Sequence, residues 1–158
     1  MKRLFVVIHN IHSVTRLIEA AKVTYGFNIK NLVISKAIGS AAQEGVPEVQ
    51  KIALKLERNV FFLRDLDDVI SSLNLNNAYI FVPRKYANKK FNPKAVLEEI
   101  KEHNVALVFG GSDPGFTKKD LEKGTPVYLD LPGDIGSIGY LAVTLYTLYE
   151  EYLKGKDK

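Results

Sequence analysis

The chain has 158 residues, of which 46% are hydrophobic and 25% are charged, and its formal net charge is +4. This length and balance are typical of one folded domain and exclude a disordered chain. Cysteine is absent, which excludes a disulfide framework, thiol catalysis and cysteine-ligated zinc. No apolar run approaches the roughly 20 residues of a membrane span, and no signal peptide is evident, so we expect a cytoplasmic protein. The mild positive charge is compatible with RNA as a partner but does not by itself indicate it.

The first half of the chain alternates short apolar runs with amphipathic stretches. Strands are predicted over residues 4–9, 32–35 and 60–63, and helices over residues 14–25, 47–58 and 66–73. Ser13 is the expected N-cap of the first helix, and Gly26 is its expected end. The small and polar residues 38–45 predict a surface loop.

The second half continues the same alternation. Strands are predicted over residues 78–82, 105–109 and 127–131, and helices over residues 92–103, 117–123 and 136–152. Pro83 closes the first of these strands, and Thr117 is the expected N-cap of the short middle helix. No linker or internal repeat interrupts the pattern. It therefore predicts a single α/β domain over residues 1–158, with a mainly parallel sheet, helices on both faces and a flexible tail at residues 154–158.

The predicted final helix is apolar on two sides. One stripe comprises Ile138, Leu141, Ala142, Leu145, Leu148 and Tyr149, and the opposite side carries Tyr140, Val143, Tyr146 and Thr147. One side can pack on the sheet, but the other needs a second cover. A homodimer formed through this helix is the simplest expectation.

Two predicted strands end in glycine-rich turns. Residues 105–109 lead into Gly-Gly-Ser-Asp-Pro-Gly, and residues 127–131 lead into a turn that contains Gly133, Gly136 and Gly139. Glycine lets backbone N–H and C=O groups approach a ligand closely, and open α/β sheets bind ligands at the carboxyl ends of their strands. We expect the two turns to form one pocket, although each turn alone is equally explained as a tight connection.

The exit of the first strand carries polar residues close to a helix start. Asn10 and Arg16 flank this exit, and a fixed guanidinium beside an amide suits phosphate or ribose oxygens. The simpler interpretation is a capped helix with a solvent-facing arginine. His9 and His12 lack the further ligands of a metal site, so we interpret them as pocket or capping residues and predict no metal.

These segments, in this order and spacing, resemble the SpoU branch of the SPOUT (α/β-knot) RNA methyltransferases. Residues 9–16 are similar to the first family motif, with Asn10 and Arg16 on its asparagine and arginine. Residues 109–115 resemble the second motif, Gly-x-Glu-x-x-Gly, with Gly110 and Gly115 on its glycines. The family glutamate falls on Ser112, and Asp113 stands beside it.

The third motif of the family is matched with two departures. Leu131-Pro132 and Ser137-Ile138-Gly139 resemble its Ile-Pro and Ser-Leu-Asn, but Gly139 replaces the asparagine. The interval between Leu131 and Ser137 is about two residues short of the family pattern, so Leu129 is the alternative equivalent position.

The resemblance implies a C-terminal trefoil knot, a dimer, and S-adenosylmethionine held bent among the loops after the fourth, fifth and sixth strands. It implies methylation of a ribose 2′-hydroxyl of tRNA or rRNA, with Arg16 helping to activate that hydroxyl. The candidate catalytic residues are Arg16, Asn10, Ser112 and Asp113. The candidate cofactor-binding residues are Pro83, Gly110, Gly111, Gly115, Leu129, Leu131, Ser137 and Gly139.

The departures from the motifs leave other functions open. The missing glutamate and asparagine would orient a weak hydroxyl nucleophile, whereas cofactor binding relies on backbone groups, so we expect binding to survive better than catalysis. One alternative is therefore an RNA-binding or scaffold protein without turnover. Another is a metal-dependent nuclease that uses Asp65, Asp67 and Asp68, although acids at a helix start are also expected from the helix dipole.

A basic loop with one aromatic side chain precedes the fourth predicted helix. It contains Arg84, Lys85, Tyr86, Lys89 and Lys90. Cations with an interleaved aromatic ring suit contacts with an RNA backbone and stacking on a base. A solvated connection explains the same composition equally well.

Overall fold

The computed structural model describes residues 1–112 and 115–156, and it centres on a seven-stranded sheet. The strands in chain order are β1 (Leu4–Ile11), β2 (Asn31–Ala37), β3 (Asn59–Leu63), β4 (Asn77–Phe81), β5 (Lys89–Lys90), β6 (Val105–Gly110) and β7 (Thr125–Tyr128). Their order across the sheet is β3-β2-β1-β6-β4-β7-β5, and the pairings between them are parallel. The carboxyl ends of the strands therefore meet at one edge of the sheet.

Helices cover both faces of this sheet. They are α1 (Val14–Gly26), α2 (Val46–Leu56), α3 (Leu66–Ser72), α4 (Pro93–Glu99), α5 (Lys118–Leu121) and α6 (Gly136–Lys156). One buried cluster joins one face of the sheet to α1, α2, α4 and α6, and the other joins the opposite face to α3 and α5. Successive side chains of β1 alternate between the two clusters, as the pleat of a strand requires. The predicted α/β class, with a mainly parallel sheet and helices on both faces, is confirmed, whereas the trefoil knot stays a prediction.

The helix starts follow local capping chemistry. The Ser13 hydroxyl accepts a hydrogen bond from the backbone N–H of Arg16, as expected for an N-cap. Thr117 and Asp120 form a reciprocal capping box at the start of α5. The N-cap positions predicted at residues 13 and 117 are therefore confirmed.

Residues 38–45 differ from the predicted surface loop. Ala41–Gly45 forms a π-helical turn that runs directly into α2, and both Ala41 and Gly45 are buried. A Cβ atom added to Gly45 would lie 2.8 Å from Cδ2 of Leu17. Small residues in this segment therefore permit close packing against α1, and composition alone does not distinguish that role from a flexible loop.

The final helix is longer than predicted and contacts both α1 and α4. It continues through Lys156, so the tail predicted from residue 154 begins as helix, and residues 157–158 lie outside the described part of the chain. Leu141, Leu145 and Leu148 are buried on its inner side. Within residues 1–112 and 115–156, no helix combines the length and the apolar character needed to cross a membrane.

Candidate functional site

A cavity of about 750 Å³ lies at the carboxyl ends of β4, β6 and β7. These three strands are neighbours in the sheet although helices separate them in the chain, so the segments that follow them converge. Gly110 and Gly115 line the cavity from the first glycine turn (residues 110–115), and Gly136 and Ser137 line it from the second (residues 132–139). The two turns predicted to share one pocket do share it.

The first glycine turn brings two stretches of backbone into direct contact. A Cβ atom added to Gly110 would lie 2.9 Å from Cα of Gly115, and one added to Gly115 would lie 2.8 Å from Cα of Gly110. A Cβ atom on Gly111 would lie 2.7 Å from Cβ of Ile11. These positions need glycine because the opposing atoms belong to backbone or to the root of a branched side chain.

Hydrogen bonds among the described residues fasten the exit of β1 and the start of α1 to the first glycine turn. The Gly111 N–H donates to the His9 carbonyl at 2.7 Å. The Ser112 hydroxyl donates to the Asn10 carbonyl at 2.9 Å, with Asn10 in the left-handed region at φ 61°. The Arg16 guanidinium donates to the Gly111 carbonyl at 3.3 Å. Arg16 is thereby directed to the cavity, whose wall it helps to form.

The candidate residues divide between the cavity and its surroundings. Those on the cavity wall are Arg16, Pro83, Gly110, Ser112, Gly115 and Ser137. Within the described residues, the structure leaves Asn10, Gly111, Leu129, Leu131 and Gly139 off that wall. Asp113 lies outside the described residues.

Physical reasons for these exceptions are visible in the packing. Gly111 packs closely against Ile11. Leu129 packs against the buried cluster that joins the sheet to α1, α2, α4 and α6. Gly139 is inside α6, where a Cβ atom would lie 3.0 Å from Cβ of Ile135. Leu131 is half-buried but is not on the cavity wall, and this segment first reaches the wall at Asp134 and Gly136.

Several cavity residues were not predicted from the sequence. The apolar part of the wall consists of Phe81, Val82, Phe109, Phe116 and Leu121, and the polar part adds Tyr86, Lys118, Asp134 and Tyr140. The rings of Phe81 and Phe109 stack with centroids 4.6 Å apart. Tyr140 follows Ser137 by three residues on one helix, so helical spacing was the signal that could have identified it.

His9 belongs to the core beside the cavity and not to the cavity itself. It is 2% exposed, and Nδ1 lies 2.8 Å from the Ser35 hydroxyl while Nε2 lies 3.5 Å from an Asp120 carboxylate oxygen. Its ring stacks on the cavity residue Phe116, with centroids 5.8 Å apart. Burial lowers the pKa of His9, against the opposing effect of Asp120. Because Ser35 is fully buried, this serine, histidine and aspartate set cannot meet a substrate.

The acidic residues at the start of α3 are engaged in structural contacts. Asp65 accepts a hydrogen bond from the Asp68 N–H as the helix cap, and Asp67 pairs with the Lys123 ammonium at 3.1 Å. The hydrogen bond that the Lys123 ammonium donates to Asp67 raises the pKa of Lys123. Across residues 1–112 and 115–156, no group of three or more acidic or histidine side chains could hold a metal ion.

Comparison with known sequences relates the chain to a nuclease family. A family model described as RecB-family nuclease (DUF2122) matches residues 39–147. A Methanocaldococcus jannaschii protein provisionally named type II restriction enzyme MjaORF1200P is 36% identical over 148 residues, covering 94% of this chain and 97% of that protein. An Aeropyrum pernix protein provisionally named type II restriction enzyme ApeKORF2002P is 33% identical over 143 residues, covering 90% of each.

Solved structures with a similar fold have different names. A probable methylase family protein from Haemophilus influenzae has a TM-score of 0.77 at 15% identity, covering 99% of this chain and 67% of that one. The SpoU methyltransferase AviRb from Streptomyces viridochromogenes has a TM-score of 0.73 at 9% identity, covering 98% and 61%. A protein whose structure concerns the 2-OH methylation of C/U34 on tRNA has a TM-score of 0.70 at 13% identity, covering 96% and 97%. Similarity at this level of identity establishes the fold alone.

Proposed function

The chain belongs to the family described as RecB-family nuclease (DUF2122), and we propose that it is an S-adenosylmethionine-binding RNA methyltransferase of the SpoU type. The expected reaction is 2′-O-methylation of a ribose in tRNA or rRNA, carried out by a homodimer. The observation that supports this proposal most directly is the single cavity shared by the two glycine turns and Arg16. The methyltransferase names among proteins of similar fold point in the same direction.

The cavity suits the cofactor in size and in chemistry. Its volume of about 750 Å³ falls in the range of small-molecule sites, which are concave and mostly apolar with a few polar groups. Phe81, Val82 and Phe116 offer an apolar wall for an adenine ring. Gly110 and Gly115 present backbone without side chains, and Pro83 and Ser137 complete the residues that would hold the cofactor.

The residues of the chain would position the reactants and handle charge. When bound, S-adenosylmethionine supplies an electrophilic methyl group. Arg16 would orient the acceptor hydroxyl and stabilise the negative charge that develops on it, since a guanidinium does not lose its proton at neutral pH. Asp134 also lines the cavity and is the candidate to accept the hydroxyl proton.

Two measurements test this function. Titration calorimetry with S-adenosylmethionine should give a saturable binding heat, and neither heat nor a thermal shift at millimolar ligand would contradict cofactor binding. Incorporation of a labelled methyl group into total tRNA or rRNA should fall at least about 100-fold in Arg16→Ala, the scale at which removal of one oriented catalytic group acts. The matched control is Arg64→Ala, which removes an exposed cation in the connection between β3 and α3, outside the cavity wall.

The outer side of α6 supports the proposed homodimer. Val143 and Tyr146, which were predicted on this side, are exposed by 37% and 55%, and Tyr149, which was predicted on the packed stripe, is 39% exposed. These side chains leave an apolar and aromatic strip on the surface of this chain. Analytical ultracentrifugation should give a dimer for the natural protein and a monomer for Tyr146→Glu, because burial of an added carboxylate at an apolar interface is costly.

A second candidate is a knotted RNA-binding protein without turnover. It is favoured by the contact of Ser112, whose hydroxyl is committed to the Asn10 carbonyl, and by Gly139, which provides no polar side chain. This candidate predicts binding of cofactor or RNA with no methyl incorporation, and an Arg16→Ala change that alters binding only.

A third candidate, a metal-dependent nuclease, is favoured by the family description and by the names of the two sequence relatives. It requires cleavage of DNA or RNA that depends on a divalent metal and is abolished by Asp67→Ala. The ion pair between Asp67 and Lys123 argues against it, because an ammonium group occupies the place a metal would need. Cleavage that persists in Asp67→Ala would exclude this aspartate cluster as the source of the activity.

A further inference from the structure

The segment that follows β4 carries an excess of positive charge on the surface. Arg84, Lys85, Lys89 and Lys90 are exposed, and we name residues 84–90 the basic segment. Among the described residues, Asp130 forms ion pairs with two cations of this segment, Arg84 at 3.7 Å and Lys90 at 3.9 Å. Both contacts are exposed and weak, so the surface keeps a net positive charge.

The first cation of the basic segment is held in place by an aromatic ring. The Arg84 guanidinium lies over the Tyr128 ring at 5.1 Å from its centroid, in the geometry of a cation–π contact. Tyr128 belongs to β7, next to the edge strand β5. The basic segment is thus anchored to the sheet at the cavity end.

Tyr86 is the aromatic member of the basic segment. It is 57% exposed and also lines the cavity. A short 3₁₀ turn fixes its backbone, since the Tyr86 N–H donates to the Pro83 carbonyl at 2.9 Å. The Lys85 ammonium lies 5.0 Å from the centre of its ring. An exposed ring at a cavity mouth with a cation beside it has the two features by which proteins bind an unpaired nucleotide, a stacking surface and a phosphate contact.

We propose that the basic segment binds single-stranded RNA, with an unpaired base stacked on Tyr86 and the neighbouring phosphates on Lys85, Lys89 and Lys90. This inference rests on the proposed function and narrows its substrate to an unpaired nucleotide, as in a loop or an end. Lysines on an edge strand also prevent pairing between sheets, but that role needs neither Arg84 packed on Tyr128 nor an exposed Tyr86 at the cavity.

Base stacking gives the first test. Fluorescence anisotropy with a labelled single-stranded RNA of about 12 nucleotides should show binding that Tyr86→Ala weakens about tenfold and Tyr86→Phe changes by less than about twofold. The same strand annealed to its complement should bind more weakly, because its bases are not free to stack. Equal binding of the duplex, or unchanged binding by Tyr86→Ala, would overturn the inference.

Salt dependence gives the second test. Removal of one lysine that contacts a phosphate of single-stranded RNA should reduce the slope of log K for RNA association against log salt concentration by about 0.7 in magnitude. Lys89→Ala should show this change. Lys55→Ala is the matched control, because this exposed lysine is on α2, which packs on β3 at the opposite edge of the sheet. An equal change of slope in Lys89→Ala and Lys55→Ala would contradict an RNA-binding surface localised to the basic segment.

Separate titration with S-adenosylmethionine distinguishes this inference from the function on which it rests. If the protein binds the cofactor but its RNA affinity does not depend on Tyr86, the proposed RNA-binding role of the basic segment is overturned and the methyltransferase proposal is not. RNA affinity that depends on Tyr86, in a protein that binds no cofactor, would support the surface and overturn the methyltransferase proposal.

Discussion

The two glycine turns contribute to the same cavity for different physical reasons. In the first, Gly110 and Gly115 lie so close that a Cβ atom on either would approach the other's backbone to within 3 Å. In the second, a Cβ atom on Gly133 or Gly136 would meet nothing within 4 Å, and Gly136 is distinguished by its φ of +75°. Gly110 and Gly115 are therefore required by close packing, whereas Gly136 is required by its backbone conformation.

This difference shows that two turns with similar glycine content can differ in how well they tolerate substitution of a glycine. A packed glycine fixes the distance between two segments, so its replacement moves the backbone that lines the cavity. Where a glycine only adopts a left-handed conformation, the residue that replaces it is strained locally. The surrounding space can still accept the new Cβ atom.

Gly110→Ala should have the largest effect. The added methyl group would lie 2.9 Å from Cα of Gly115, so the turn must move, and overpacking of this kind costs about 1–3 kcal/mol. We expect the free energy of unfolding to fall by that amount and ligand binding at the cavity to weaken at least about tenfold. Urea unfolding and calorimetry with S-adenosylmethionine measure the two effects. Unchanged stability and affinity would show that the two glycines are not in contact in solution.

Acidification should lower the free energy of unfolding through His9, the residue whose carbonyl binds the first glycine turn. Because burial lowers the pKa of His9 below its ordinary value of 6.5, the unfolded chain binds more protons in the window below that value. Stability should therefore decrease as the pH falls below about 6.5. Asp120 and Lys123 on the α5 side and Lys36 near the end of β2 face this histidine, and Asp120 partly opposes the shift.

The free energy of unfolding between pH 7 and pH 5 measures this dependence. His9→Gln should lose most of the slope, whereas His12→Gln, a change at an exposed histidine, should keep it. A slope that is the same in His9→Gln as in the natural protein would assign the dependence to other groups.

Gly136→Ala should have a smaller effect confined to the second turn. A left-handed conformation costs a residue with a Cβ atom about 1–2 kcal/mol, and the open space around Gly136 adds no steric cost. Thermal unfolding should show a modest decrease. A loss well above about 2 kcal/mol would mean that this glycine is also packed in solution.

Gly133→Ala is the control for the whole series. The added atom would meet nothing within 4 Å, so stability should change by less than about 0.5 kcal/mol. A large loss at this position would contradict the distinction drawn between the two turns.

Local sequence signals predicted most of the helices and strands and the turns between them, but not the π-helical turn at Ala41–Gly45 or the edge strand β5. Apolar runs such as residues 105–109 identified the strands, and Ser13 and Thr117 identified helix starts, because these signals act over a few neighbouring residues. The glycine turns and Arg16 were also recognisable as candidates for one site. The family resemblance added the cofactor and the substrate class, which stay proposals.

Contacts between distant segments depend instead on the order of the strands in the sheet. The sheet order places β4 and β7 beside β6, and this brings Tyr86, Asp134 and Tyr140 to the cavity while Leu129 packs into the core. Likewise, the close packing of Gly45 on Leu17 and the burial of His9 against Asp120 join residues distant in the chain. Local patterns carry no information on such contacts, because the energy of packing depends on which surfaces the complete fold brings together.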